Sequence, residues 1–294
     1  MRCAVIDIGG TAIKYGIFTN GSLSLSGETP SNGCLGGEHI MREAEQVLSS
    51  LLPFDGIGVS TAGQVSVPDG EILFANRNIP HYTGTPVRAR LQKKFGVPVS
   101  VDNDVNCAAI GEFRFGAAKG YSDFLCVTFG TGIGGAIYAD GHLQRGVSGA
   151  AGEFGHIITH AHGLSCACGG AGCYEAYASV SALIRSAEKI LGPSLTGRIF
   201  FDKIKTGDIR AQSILDIWID EVSIGLISLI HIFNPPLLVL GGGIMNEPSV
   251  VREIQSRLVQ NAAPALSAVH VVHAQLGNQA ALYGAYENLC VQEE

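Results

Sequence analysis

Two glycine turns constrain this chain more than any other feature. Asp7-Ile8-Gly9-Gly10-Thr11 follows a β-rich run over residues 3–8 and leads into an alternating segment, Thr11 to Phe18, that ends at the hairpin signal Asn20-Gly21. Thr128-Phe129-Gly130-Thr131-Gly132-Ile133-Gly134-Gly135 stands in the same way between a strand at Phe124 to Phe129 and a returning strand at Ala136 to Tyr138, closed by Asp140-Gly141. The motif strand, glycine turn, strand therefore occurs twice, about one domain apart, and each copy is followed by alternating helices and strands, so two α/β domains are expected. The 294 residues, 46% hydrophobic and 15% charged, suffice for one large core or two ordinary ones.

Glycine leaves backbone N–H groups open to phosphate oxygens, and such turns form anion-binding nests. Facing each other across a cleft, the two turns would cradle a triphosphate, with Asp7 placed to hold Mg²⁺ through water and Thr11 and Thr131 offering hydroxyls. Taken singly, each is also an ordinary hairpin turn. Gly130 to Gly135 matches the dinucleotide pattern G-x-G-x-x-G, but that motif must feed a helix, and Ala136 onward turns back as a hairpin.

The formal charge of −7 and the absence of any Lys/Arg run argue against nucleic acid or anionic lipid as partner and for a small molecule. The opening apolar run breaks at Asp7, too early for a secretory signal. The longest apolar stretch, Ile224 to Leu240, is interrupted by His231, Asn234 and Pro235-Pro236, which rules out a clean membrane helix. A cytoplasmic location with no membrane contact is expected, and in that compartment the eight cysteines are thiols or metal ligands rather than disulfides.

Helical spacing marks His39 to Leu52, Thr85 to Phe95, Gln212 to Phe233 and Pro248 to Gln260, and further strands fall at Gly56 to Ser60, Val97 to Val101, Leu237 to Leu240 and Val269 to His273. A last element runs from Ala280 to Leu289. Asp102-Asn103-Asp104 sits where a strand gives way to a helix over Val105 to Phe115. A carboxylate there can take the proton of a substrate hydroxyl as that oxygen attacks the γ-phosphorus of ATP, with Asn103 orienting the acceptor; the same pair is equally a helix cap.

The most specific local signal is His156 with Cys166, Cys168 and Cys173, in the spacing Cys-x-Cys-x₄-Cys. Three thiolates and an imidazole complete a tetrahedral zinc shell with no open position, so the metal would be structural and would order the loop His160 to Gly172. A redox pair or buried free thiols are the competing readings, and His160 and His162 are alternative fourth ligands. Glu153 and Glu175 flank the cluster, where they can accept hydrogen bonds from sugar hydroxyls or stand as solvated surface residues.

With these pieces in order, the sequence resembles the ROK family of sugar kinases and repressors over nearly its whole length. The matching motifs are Asp7 to Thr11, Val101-Asp-Asn-Asp-Val-Asn106, Thr128 to Gly135, Glu153-Phe-Gly-His156, Cys166 to Glu175 and Leu240-Gly-Gly-Gly-Ile244. The resemblance implies an α/β, actin-like ATPase (ribonuclease H-like) fold. Its smaller N-terminal domain would span residues 1–115, rejoined by the C-terminal helix at about 276–294, and a larger domain over 116–275 would carry the zinc loop and a homodimer interface.

The resemblance further implies Asp104 as catalytic base, with Asn103, Glu153, His156 and Glu175 binding sugar, His156 serving metal and sugar through different ring nitrogens. Gly63 and Asn76, in a segment similar to the family's first sugar-lining hairpin, join that set; the segment departs from many members at Ala62, where they carry proline. Gly9, Gly10, Thr11, Lys14, Thr131 and Gly132 would serve the phosphates and Mg²⁺, and Gly241 and Gly242 the nucleoside. The implied activity is ATP-dependent phosphorylation of a hexose, hexosamine or β-glucoside, on the 6-hydroxyl; the run from Ile79 to Thr85 looks like the β-glucoside kinase and N-acetylmannosamine kinase branches. The family's sugar-sensing regulators would place a helix-turn-helix before the first phosphate turn, where only six residues precede Asp7.

Overall fold

The computed structural model describes residues 1–76 and 78–291. Contacts divide it into two units, Met1–Gly120 with Leu143–Ala151 and Asn278–Glu294, and Tyr121–His142 with Gly152–Gly277.

In the first unit, β1 (Arg2–Ile8) and β2 (Ala12–Thr19) flank the first glycine turn and β3 (Ser22–Pro30) follows. Next come α1 (Gly37–Ser50), β4 (Gly56–Thr61), the small hairpin β5 (Gln64–Ser66) and β6 (Glu71–Phe74), α2 (Val87–Phe95), β7 (Val99–Asn103) and α3 (Asp104–Phe115). The main sheet runs β3-β2-β1-β4-β7, with β1–β2 and β2–β3 antiparallel and β1–β4 and β4–β7 parallel.

The second unit opens with β8 (Phe124–Phe129) and β9 (Ile133–Ala139), and the short β10 (His142–Leu143) spans the chain boundary at which the Leu143–Ala151 segment leaves it. Helices α4 (Glu175–Ala178), α5 (Val180–Leu191), α6 (Gly197–Lys205) and α7 (Ile209–Phe233) precede β11 (Leu237–Gly241), α8 (Pro248–Asn261) and β12 (His270–His273); α9 (Ala280–Val291) returns to the first unit. Its sheet order, β10-β9-β8-β11-β12, repeats the first, again with an antiparallel opening hairpin and parallel strands beyond. Each unit thus has the ribonuclease H-like order of the expected actin-like fold.

β1 is apolar from Cys3 to Ile6 because helices cover both its faces. Ala4, Ile6 and Ile8 join Ile40, Met41, Ala44 and Leu48 of α1, whereas Cys3 and Val5, one residue out of phase, pack with Leu282 and Leu289 of α9. Asp7 shares the parity of Cys3 and Val5. Helix α9 approaches α3 closely through glycine: a Cβ on Gly284 would lie 1.7 Å from the carbonyl oxygen of Cys107. In the second unit Leu125, Val127, Phe129, Leu238 and Leu240 form one core with Leu183 of α5, Trp218, Val222 and Leu226 of α7 and Ile254 of α8.

Beyond shifts of a few residues at the ends, the division differs from the sequence reading at one segment. Leu143–Ala151, assigned there to the larger domain, clusters with the first unit. The cause is polar and nonlocal: Arg145 donates to Asp102 at 2.6 Å, and Ala151 N–H closes the segment on the Arg145 carbonyl at 3.0 Å.

Candidate functional site

In the first unit, the candidate base stands on the first residue of α3. Asn103 rather than Asp104 caps that helix: its Oδ1 accepts the N–H of Val105 at 2.9 Å and of Asn106 at 3.1 Å. The Asn103 amide Nδ2 donates to the Gly63 carbonyl at 2.9 Å and to Asp104 Oδ1 at 2.8 Å, and Val105 N–H also reaches that oxygen at 3.0 Å. Gly63, Asn103 and Asp104 are therefore one hydrogen-bonded group. Asn76 is exposed and uses its Oδ1 to hold Asn78 N–H at 3.0 Å.

Burial pushes the Asp104 carboxyl up to about 7, the negative charge of Asp7 adds to the rise, and the bonds from Val105 and Asn103 offset part of it. Asp7 is nearly buried; Ser60 Oγ donates to its Oδ1 at 2.7 Å, and Lys14 Nζ lies 3.7 Å from Oδ2. Lys14 faces Asp7 because antiparallel register pairs the two residues across β1 and β2. Burial raises the Asp7 carboxyl as well, against the lowering effect of Ser60 and Lys14. The turn itself is closed by Gly9 N–H on the Ala12 carbonyl at 3.0 Å, with Thr11 exposed and Gly10 partly so.

In the second unit, Thr131 is exposed on the second glycine turn and lines a cavity of about 670 Å³ together with Phe129 and Gly130. The remaining wall comes from α5 (Val180, Leu183), from α6 (Gly197, Arg198, Phe201, Asp202, Lys205) and from Gly243, Ile244 and Glu247. A cavity lined by apolar side chains together with Arg198, Asp202, Lys205 and Glu247 suits a nucleoside. Of the two glycines expected there, Gly241 is buried at the end of β11 and Gly242 lies next to it, while the wall is formed one and two residues further on. Helices α5 and α6 are not among the elements expected from the sequence. Their signals were present in the N-caps Ser179 and Thr196, which accept N–H groups of Ala182 at 3.1 Å and Ile199 at 3.3 Å.

His156, Cys166, Cys168 and Cys173 converge, their ligand atoms all within 4.8 Å of one another. Cys168 and Cys173 sulfurs are 3.7 Å apart, and Cys166 Sγ is 3.8 Å from His156 Nδ1. Zinc–sulfur bonds of about 2.3 Å in a tetrahedron separate ligands by about 3.8 Å, so the donor set fits that ion in kind and in spacing. Backbone bonds shape the loop: Cys166 N–H to the Gly170 carbonyl at 2.8 Å, Gly169 N–H back to Cys166 at 3.0 Å and Tyr174 N–H to Ile157 at 2.8 Å. The Gly170 backbone contributes most to holding the Cys168 thiol below its ordinary range. His160 stacks instead on Tyr177, with ring centroids 3.9 Å apart, and neither it nor His162 belongs to the cluster among the described residues.

The other ring nitrogen of His156, Nε2, lies 3.9 Å from Glu153 Oε2, and both side chains are open to solvent. Glu175 is partly buried at the start of α4, and its Oε2 accepts the Ile133 N–H of the second glycine turn at 2.8 Å. The unpredicted participants in the first unit are Arg145, Asn106 and Asn288, all bonded to the Asp102 carboxylate.

The ROK family pattern matches residues 3–290 of the chain. A glucokinase of Thermotoga maritima is 30% identical over 302 residues, spanning 95% of this chain and 94% of its own. A β-glucoside kinase of Listeria monocytogenes is 31% identical over 300 residues, spanning 100% and 99%. The crystal structure of a ROK family glucokinase from Streptomyces griseus in complex with glucose and AMPPNP superposes with a TM-score of 0.87 at 29% identity, over 99% of this chain and 100% of that one. Sequence and structure agree along the full length: the chain belongs to the ROK family.

Proposed function

We infer that this sugar kinase of the ROK family transfers the γ-phosphoryl group of ATP to the 6-hydroxyl of a hexose, hexosamine or β-glucoside, with Asp104 as general base. The observation that carries the reading is the state of Asp104. Its carboxyl is held by Asn103 on a strand-to-helix junction and is tuned to about 7, the value a base needs to take a hydroxyl proton at neutral pH. The hexose and β-glucoside classes come from the relatives, one a glucokinase and one a β-glucoside kinase, and the hexosamine class from the sequence resemblance.

Asn103, Gly63, Asn76, Glu153, His156 and Glu175 are the proposed sugar contacts. Gly9, Gly10, Thr11, Thr131 and Gly132 are proposed to hold the phosphates, and the cavity beside Thr131 the nucleoside, with Gly241 and Gly242 leading into its wall at Gly243. Asp7 would hold Mg²⁺, with Lys14 beside it; the ion neutralises phosphate charge during transfer. His156, Cys166, Cys168 and Cys173 would hold a structural zinc ion. A homodimer is proposed on α7, which leaves Ile217 and Ile224, one heptad apart, 65% and 42% exposed. No described helix is long and apolar enough to cross a membrane, and a cytoplasmic site of action is proposed.

The test is sugar-dependent ADP release by the purified protein over glucose, N-acetylmannosamine and cellobiose, with phosphorus NMR locating the phosphate on the product. Transfer to the 6-hydroxyl of one of these is expected. ADP release no faster with any sugar than without would overturn the reading.

A further inference from the structure

Glu175 stands in the sequence as a sugar ligand, yet its carboxylate is already engaged with the backbone of the second glycine turn. That turn is held at three points. Gly130 N–H donates to the Gly132 carbonyl at 2.9 Å, Val180 N–H at the start of α5 donates to the Gly130 carbonyl at 3.0 Å, and Ile133 N–H donates to Glu175 Oε2 at 2.8 Å. The first two bonds are backbone to backbone and tolerate many sequences. The third depends on one side chain.

Two further observations show that the local structure is built around this contact. A Cβ on Gly132 would lie 2.2 Å from Glu175 Oε2, and Gly132 is not among the residues with positive φ. A side chain at 132 would therefore meet the Glu175 carboxylate and displace it from the turn, although the backbone conformation itself does not demand glycine there. On the other side, the residue preceding Glu175 is anchored: Tyr174 is fully buried, its hydroxyl donates to the Val222 carbonyl at 2.5 Å, and its N–H donates to Ile157 at 2.8 Å. The start of α4 is thereby fixed, and the Glu175 side chain reaches the turn from a rigid base.

We propose that Glu175 is a positioning residue for the phosphate-binding turn: by accepting the Ile133 N–H it fixes the backbone from Gly130 to Ile133 in the form that receives the nucleotide phosphates. The proposal rests on the reading that this turn binds ATP. A turn already held in place does not lose conformational freedom when the ligand arrives, so the contact acts on nucleotide affinity with no sugar present. What matters is an acceptor oxygen at the correct reach. Glutamine supplies one at the same distance, aspartate withdraws it by one methylene, and alanine removes it.

Calorimetric titration of the full chain with Mg·AMPPNP, without sugar, tests this on Glu175→Gln, Glu175→Asp and Glu175→Ala, each checked for folding by its thermal melt. The Gln variant is expected to bind within about twofold of wild type. The Asp and Ala variants should weaken by about tenfold, the scale of one well-made hydrogen bond. The Asp and Gln variants carry the comparison if alanine prevents folding. Wild-type affinity in the Asp variant, or an Asp variant tighter than Gln, overturns the proposal while leaving the nucleotide reading intact. A wild-type chain that does not bind AMPPNP removes that reading and the proposal together.

Discussion

Arg145 Nη2 lies 2.6 Å from Oδ2 of Asp102, whose side chain is 2% exposed. The same carboxylate accepts Asn288 Nδ2 at 3.0 Å, Asn106 Nδ2 at 3.3 Å and the Asn103 N–H at 2.8 Å. It is thus the hub on which the β7–α3 junction and the segment Leu143–Ala151 are fixed. Arg145→Ala leaves a buried anion with neutral donors only, and a loss of about 3 kcal/mol is expected. Urea denaturation measures it, with Arg145→Lys retaining part of the stability; an Ala variant as stable as wild type would remove this role.

The raised Asp104 carboxyl fixes the sign of two pH effects. Only the ionised form takes a proton, so kcat/KM for the sugar should fall as pH drops below about 7. Stability runs the other way. Between the ordinary carboxyl value of 3.8 and about 7 the folded chain binds more protons at this group than the unfolded chain, so the group's contribution is lost as pH rises through that window. Asp104→Asn carries no such charge and should be more stable than wild type at pH 8, read by thermal melts at pH 5 and pH 8. A variant less stable than wild type only at the higher pH would reverse the assignment.

Both glycine turns, most of the sheet strands apart from β3, and the Cys/His loop were legible in the sequence because each has a local cause. Gly9 and Gly10 stand between alternating runs, and the three cysteines lie within eight residues of one another. The role of Asn103 was read in part, as orienter, while the capping role was left shared with Asp104. Two things were not legible. The return of Leu143–Ala151 to the first unit depends on the pairing of Arg145 with Asp102, forty-three residues apart, and no periodicity marks it. The cavity wall on α6 depends on Arg198, Phe201 and Lys205, whose helical spacing is that of an ordinary amphipathic helix and carries no chemical signature.

Phe201 offers the cavity beside Thr131 an aromatic face. Phe201→Ala should raise KM for ATP about tenfold, the scale of one lost buried aromatic contact, with KM for the sugar unchanged. Initial rates with each substrate varied in turn measure the two constants. A rise confined to the sugar KM would place the nucleoside elsewhere.

Metal analysis should find about one zinc per chain, as a four-ligand closed site requires. Cys168→Ser should lower that content and increase proteolytic cleavage within residues 160–172, since few apolar side chains hold that loop. Full zinc content in the variant would take Cys168 out of the ligand set.

The most direct measurement is the rate of sugar-dependent ADP release by Asp104→Asn against wild type at pH 8, with both substrates saturating. Asparagine preserves the shape of the junction and removes the proton acceptor, so a fall of about 10²- to 10⁴-fold in kcat is predicted. An Asn variant turning over at the wild-type rate would contradict the assignment of Asp104 as the base.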